Sequence, residues 1–407
     1  MKKLAILGGP KIVNSKSFTW PEDFLLKSGD KELEAVTGVI NRAITWGTYA
    51  PEVSRLEKRF SEFIGVQYSL ATNSGAAALH CAVEAAGIGA GDEVITSPHT
   101  FIGTVTGLIL SNAIPVFADI DIDTYNIDPK SIEEKITKRT KAIMPVHLYG
   151  LPADMDPINK IAKAHGLVVI EDACQAHGAI YKGKKAGSLG DMAGFSLNGN
   201  KNMQTGEGGI FTTNSKEHHQ GAEKVRVFGE IIDPNEPRKY KSYAMGYNYR
   251  MTELQAAVGN VQLGRLEDTN NIRIENADYL TSKLNKISGF IPPYVPPDSK
   301  HVYHYYKIRV DLDAINLKLE PEEIRWRIVA ALEAEGVKAE VWCYEPIYVQ
   351  PLFQRYGEDK KKYPWMCPHE KPLVTYKEGI CPNAERACRE AFNVQVHPPN
   401  GLELMEQ

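Results

Sequence analysis

An α/β protein with a largely parallel sheet, followed by a smaller α+β unit, is what the sequence predicts. Three observations carry this expectation. Short continuous apolar runs such as Leu167-Val168-Val169-Ile170 alternate with amphipathic stretches of helical length, the pattern of strands covered on both faces by crossover helices. The chain has 407 residues, too many for one ordinary core. Beyond about residue 285 the alternation gives way to Gly/Pro-punctuated segments and a strand of strictly alternating character. The expected division is a large unit over 1–284 and a small one over 285–407.

The elements follow in order. A helical pattern over 30–64 breaks at Trp46-Gly47-Thr48-Tyr49-Ala50-Pro51, where Gly and Pro mark a loop. A second helix over 52–63 carries Val53, Leu56, Phe60 and Phe63 near helical spacing. A strand over 68–72 then feeds an alanine-rich helix through Asn73-Ser74-Gly75. Strands over 93–96, 115–118, 142–146, 167–170 and 193–197 are interleaved with helices over 101–111, 129–136 and 155–165. A long helix over 252–280 leads out of this unit; 289–293 reads as a linker or turn, 303–310 as a strand and 321–336 as a capped helix. Lys184 and Lys185 read as a solvated hairpin tip.

Bulk properties exclude more than they select. Hydrophobic residues make up 43% and charged ones 24%, ordinary for a soluble globular chain. A net charge of −4 offers no basic footprint for nucleic acid. The opening apolar run is too short for a signal peptide and no stretch reaches membrane-spanning length, so a cytoplasmic protein with no membrane partner is expected. Six sparse cysteines without CxxC spacing read as reduced thiols. Cys367, Cys381, Cys388 and His369 allow a metal reading that their spacing supports poorly, and no metal is expected.

In parallel sheets ligands bind beyond the carboxyl ends of the strands. That places Ser74, residues 97–101, His147 and Asp172 on one rim. The Ser74 turn presents helix N–H groups suited to a phosphate, although a plain N-cap explains it equally well. Asp172 ends a buried strand, where a carboxylate either caps a helix or bonds a ligand, and Gln175 is within reach of a ring hydroxyl. Lys201 stands among Ser196, Asn198 and the Gly206–Gly209 run; taken alone it is one more solvated lysine. Together, a lysine for an aldehyde, an acid for a pyridinium nitrogen and a phosphate cradle are the parts of a pyridoxal 5'-phosphate site.

At these residues the sequence resembles the DegT/DnrJ/EryC1/StrS group of sugar and aminocyclitol aminotransferases. The resemblance runs through Asn73-Ser74-Gly75-Ala76, Gly91-Asp92-Glu93-Val94-Ile95, Pro145-Val146-His147-Leu148-Tyr149-Gly150, Glu171-Asp172-Ala173-Cys174-Gln175-Ala176, Lys201-Asn202, Gly206-Glu207-Gly208-Gly209 and Gly246-Tyr247-Asn248-Tyr249-Arg250-Met251. It implies fold type I of the pyridoxal phosphate enzymes, with a mostly parallel seven-stranded sheet. It also implies a homodimer with shared active sites. Lys201 matches the lysine that holds the cofactor as an internal aldimine and later moves the proton, and Asp172 matches the partner of the pyridine nitrogen. Gln175 matches a neighbour of the ring oxygen, and Phe101 a ring-stacking aromatic that residue type alone would make helix core. Ser74, Gly75, Ala76 and Ser196 match the phosphate cradle, with Asn248 or Arg250 reaching a phosphate across the dimer.

The resemblance also implies a reaction. Related sugar 3-dehydratases carry histidine where this chain has Lys201, so amino transfer from glutamate or glutamine to a keto sugar or keto cyclitol is expected. The alternatives are a dehydratase or lyase on the same fold and a silent regulatory relative. Leu4-Ala5-Ile6-Leu7-Gly8-Gly9-Pro10 and Cys343-Tyr344-Glu345-Pro346-Ile347-Tyr348 look closer to the scyllo-inosose and aminohydroxybenzoate side of the family than to its nucleotide-sugar side. Trp46, Tyr49, His147 and Tyr344 are candidate substrate-lining residues, since sugars stack on aromatics and bond to polar tips; ordinary packing is their other reading.

Overall fold

A computed structural model describes residues 3–13, 29–44, 47–233, 235–354 and 374–406. After helices α1 (Asp30–Asn41) and α2 (Pro51–Ile64), the chain alternates β1 (Tyr68–Thr72), α3 (Gly75–Ala85), β2 (Glu93–Thr96), α4 (Gly103–Leu110), β3 (Ile114–Phe117), α5 (Pro129–Lys135), β4 (Thr140–Met144), α6 (Met155–His165) and β5 (Val168–Asp172). A hairpin of β6 (Ile180–Tyr181) and β7 (Lys184–Lys185) precedes β8 (Met192–Ser196), β9 (Gly209–Thr213), α7 (Lys216–Arg226) and the long α8 (Glu253–Leu284).

The large sheet has seven strands in the order β1-β9-β8-β5-β4-β2-β3. All run parallel except β9, which is antiparallel to both neighbours. The sequence reading missed β9 because its leading glycines look like loop. The sheet is buried on both sides, as its uninterrupted apolar strands require. On one face, α2 buries Val53, Leu56, Phe60 and Ile64, and the Phe60 ring meets Phe195 of β8 edge-on at 5.0 Å. Pro51 opens that helix and Gly65, at φ 87°, closes it.

A second sheet takes the order β10-β12-β14-β13, from β10 (Phe290–Ile291), β12 (Tyr306–Val310), β13 (Ala339–Glu340) and β14 (Ala391–Val394). It is antiparallel throughout and packs with α9 (Pro321–Ala334) and α11 (Pro382–Glu390), the four-residue α10 (Pro351–Gln354) lying between them in the chain. Three expectations need correction here. Residues 290–291 are a strand, not a linker. The strand expected from 303 begins at Tyr306, because residues 302–304 turn aside to bond the segment after β4, Val302 N to Gly150 O at 3.0 Å and His304 N to Tyr149 O at 2.7 Å. Lys185 is no solvated tip: its amine donates to Phe63 O at 2.7 Å and sits 4.1 Å above the Phe63 ring. The same hairpin pairs with β11 (Ser299–Lys300).

One buried carboxylate locks the end of β5. Glu171, fully shielded, accepts from the amides of Leu189 and Gly190 at one oxygen and from Gly187 N and His147 Nε2 at the other, each at 2.7 Å. A buried charge is tolerable when it is this fully hydrogen-bonded. Its consequence is a fixed position for the next residue, Asp172.

Candidate active site

A cavity of about 350 Å³ opens beyond the carboxyl ends of β1, β2, β5 and β8, lined among others by Ser74, Gly75, Ala76, Phe101, Asp172, Gln175, Ser196 and Lys201. Eight residues named from sequence thus meet on one rim. At its floor, β1 passes into α3 through Ser74, whose hydroxyl accepts from Ala77 N at 3.1 Å. Close approach dictates the glycines around it. A Cβ on Gly209 would lie 2.2 Å from Ser74 O, and one on Gly75 would lie 2.7 Å from Ser196 Cβ. The strand ends therefore press against the helix start, so that Ser74, Gly75, Ala76 and Ser196 line the cavity together, an arrangement that suits an anion.

Asp172 is 4% exposed. Thr104 Oγ1 donates to its Oδ2 at 2.6 Å, and Cys174 N donates to Oδ1 at 3.1 Å. Thr104 also pairs with Thr100 at 2.8 Å. The sequence placed Thr100 on the rim within residues 97–101 but gave no sign of Thr104, the second residue of α4. Cys174 joins the lining as a neutral thiol, since burial and the Asp172 charge push its pKa well up. Gln175 accepts from Tyr149 N at 2.7 Å through Oε1, which orients its amide.

Lys201 enters from the turn after β8, its backbone N–H donating to Asn198 O at 2.9 Å. Its amine lies 3.3 Å from His304 Nε2. Burial holds the Lys201 pKa below the ordinary lysine range, with Cys174 and Asp172 opposing. His304 is held well below its usual value by burial, then by the Lys201 and Arg273 charges. The imidazole is therefore neutral and can accept from the amine. His304 was missed because it arrives from the far side of the chain, after α8.

The other expected residues divide. Phe101 is 62% exposed and lies ahead of α4, so it is not helix core. Tyr344 is absent from the cavity but lines an adjoining groove with Phe101, Trp342 and Gln350. His147 does not line either: its ring is buried, Nε2 on Glu171 and Nδ1 accepting from Ala153 N at 3.0 Å. Tyr49 is likewise engaged elsewhere, donating to Glu223 at 2.8 Å and sharing Ile232 O at 2.9 Å. Asn248 and Arg250 lie outside the cavity of their own chain, Asn248 O accepting from Asn73 Nδ2 at 3.2 Å and Arg250 stacking 5.5 Å over Phe228. Trp46, Cys367 and His369 fall outside the described residues.

Known proteins resemble this chain in sequence and fold. The profile of the DegT/DnrJ/EryC1/StrS aminotransferase family matches residues 27–404. The chain is 44% identical over 275 residues to a dTDP-3-amino-3,6-dideoxy-alpha-D-galactopyranose transaminase of Aneurinibacillus thermoaerophilus, covering 67% of this chain and 74% of that protein. It is 35% identical over 387 residues to a putative L-glutamine:3-amino-2,3-dideoxy-scyllo-inosose aminotransferase of Micromonospora echinospora, covering 94% and 88%. The crystal structure of DesV from S. venezuelae superposes with a TM-score of 0.82 at 29% identity, over 98% of this chain and 96% of that one. With the family profile spanning nearly the whole chain and the fold shared from end to end, this chain belongs to the DegT/DnrJ/EryC1/StrS aminotransferase family.

Proposed function

We propose that this aminotransferase holds pyridoxal 5'-phosphate in the cavity and moves an amino group from glutamate or glutamine to a keto sugar or keto cyclitol. The observation that carries the reading is the convergence of the Lys201 amine, the Asp172 carboxylate and the helix start at Ser74 on one space. The residues fit the group. A depressed lysine pKa supplies the free amine that carbonyl capture needs, and the Gly75/Gly209 contacts leave a cradle at the helix amides. When bound, the cofactor supplies an electron sink. The protein would supply orientation and proton handling: Asp172, aligned by Thr104 and Cys174 N, would hold the ring nitrogen, and Lys201 Nζ would take the proton from the amine-bearing substrate carbon and deliver it on the cofactor side. Phe101, which lines the cavity, would cover one ring face.

The acceptor would extend from the cavity into the groove at Trp342 and Tyr344. A cytoplasmic homodimer belongs to the same reading. Phe228, Ile231, Tyr240, Tyr243 and Met245 are all exposed on one stretch beside Asn248 and Arg250, an apolar surface that fits a second copy. So does a unit boundary after residue 284, where α8 ends between the two sheets. No helix among the described residues is long and apolar enough to cross a membrane.

The test is isotope transfer. Enzyme supplied with pyridoxal phosphate and glutamine or glutamate labelled at the α-amino nitrogen should pass label to a keto cyclitol or keto sugar, read by product mass, whereas glutamine labelled at its amide should not. Loss of water from the acceptor without consumption of donor would contradict the reading.

A further inference from the structure

Beside the cavity lies a second cluster that amino transfer does not use. His99 stands on the rim segment after β2, Cys343 follows β13, and Cys388 lies in the last turns of α11. Three distant stretches of chain thus bring two thiols and an imidazole to one point. His99 Nδ1 is 3.2 Å from Cys388 Sγ and 3.5 Å from Cys343 Sγ, and the sulfurs are 3.9 Å apart.

Those edges are the right size for a tetrahedral metal. With bonds of about 2.3 Å to sulfur and about 2.0 Å to nitrogen, a tetrahedral zinc sets its sulfurs about 3.8 Å apart and sulfur about 3.5 Å from nitrogen. The rest of the setting agrees. His99 is fully buried and Cys388 is 1% exposed, so the donors are preorganised. Tyr149 Oη bonds the other imidazole nitrogen, Nε2, at 2.9 Å, the outer contact that fixes a ligating ring. Cys343 is only half-buried and lines the groove that also contains Trp342 and Tyr344, which gives an entry path and an open fourth position.

We propose that His99, Cys343 and Cys388 bind a divalent metal ion of the zinc type, with the fourth position open to the groove next to the active site. Binding exchanges the two thiol protons to solvent for two metal–sulfur bonds, and the imidazole donates the Nδ1 lone pair. The ion ties the β2 rim to the Cys343 segment, so it holds Trp342, which lines the cavity, and Tyr344 in place. The cysteine pair was not legible from spacing, because the ligands are separated by 289, 244 and 45 positions.

Reduced, chelator-treated holoenzyme titrated with Co²⁺ alone tests the site. One equivalent should produce visible d–d bands of tetrahedral intensity, to the red of the cofactor absorption, and Zn²⁺ should displace them. Cys343→Ser and Cys388→Ser should each lose most of the intensity while keeping the cofactor spectrum, which shows that they fold. Zn²⁺ should also raise the Tm of the native protein and not that of Cys388→Ser. Absence of the bands from the native protein, or bands unchanged in both variants, overturns the proposal. So does a Cys343–Cys388 disulfide formed with diamide as readily in Zn²⁺ as without it, which would make the cluster a thiol pair only. None of these results bears on Lys201, so failure here is separate from failure of the amino-transfer reading.

Discussion

Lys201→Ala should lower transaminase turnover by at least about 10³-fold, with the folded state intact by circular dichroism. A positioned general acid–base contributes about 10²–10⁴-fold on its own, and the same amine also anchors the carbonyl of the cofactor. Lys201→Arg should be nearly as inactive, because guanidinium stays protonated and cannot act as the nucleophile. The native amine carries its own pH signature. Burial lowers the Lys201 pKa, and the neutral amine is the reactive form. Capture of pyridoxal phosphate by apoenzyme should therefore rise with pH and level off below the pH at which an exposed lysine would. Stopped-flow absorbance checks the profile. An unshifted profile would show that the reactive lysine is not this buried one.

Asp172→Asn should cost on the order of 10²-fold or more in kcat, with the two half reactions slowed together. Asparagine keeps the size and the contact to Thr104 but removes the charge that favours a protonated ring nitrogen. Without that proton the ring is a poorer electron sink. Because the lost interaction grows as charge develops, kcat should fall more than KM rises. Single-turnover measurement with each amino donor separates the two constants. Equal losses in binding and turnover would mean that Asp172 acts only by shaping the cavity.

Much of this site was visible in the sequence because short-range chemistry wrote it there. Ser74, Asp172 and Ser196 each sit where a strand ends, and in a parallel sheet strand ends share a rim. Lys201 needed its companions: a ligand with an aldehyde, a ring nitrogen and a phosphate, as proposed, would account for all of them at once. What stayed hidden depended on long-range closure. His304 reaches Lys201 from 103 positions away, and Thr104 meets Asp172 across 68. His147 misled in the opposite direction. It does end beside β4, but Glu171 and Ala153 draw its ring into the protein rather than the cavity. In the fold, β9 was concealed by the glycines that let it approach Ser74, and the two-residue strands β10 and β13 are too short to show a period.

The central claim is that one particular amine holds the cofactor, and borohydride reduction tests it most directly. Holoenzyme reduced with borohydride, digested and mapped by mass spectrometry should carry the phosphopyridoxyl group on the peptide containing Lys201, in close to one copy per chain, and addition of amino donor before reduction should abolish the label. A second buried amine makes the comparison strict: Lys307 is 1% exposed and burial lowers its pKa to about 8. Label on Lys307, label spread over surface lysines, or no label at all would contradict the account.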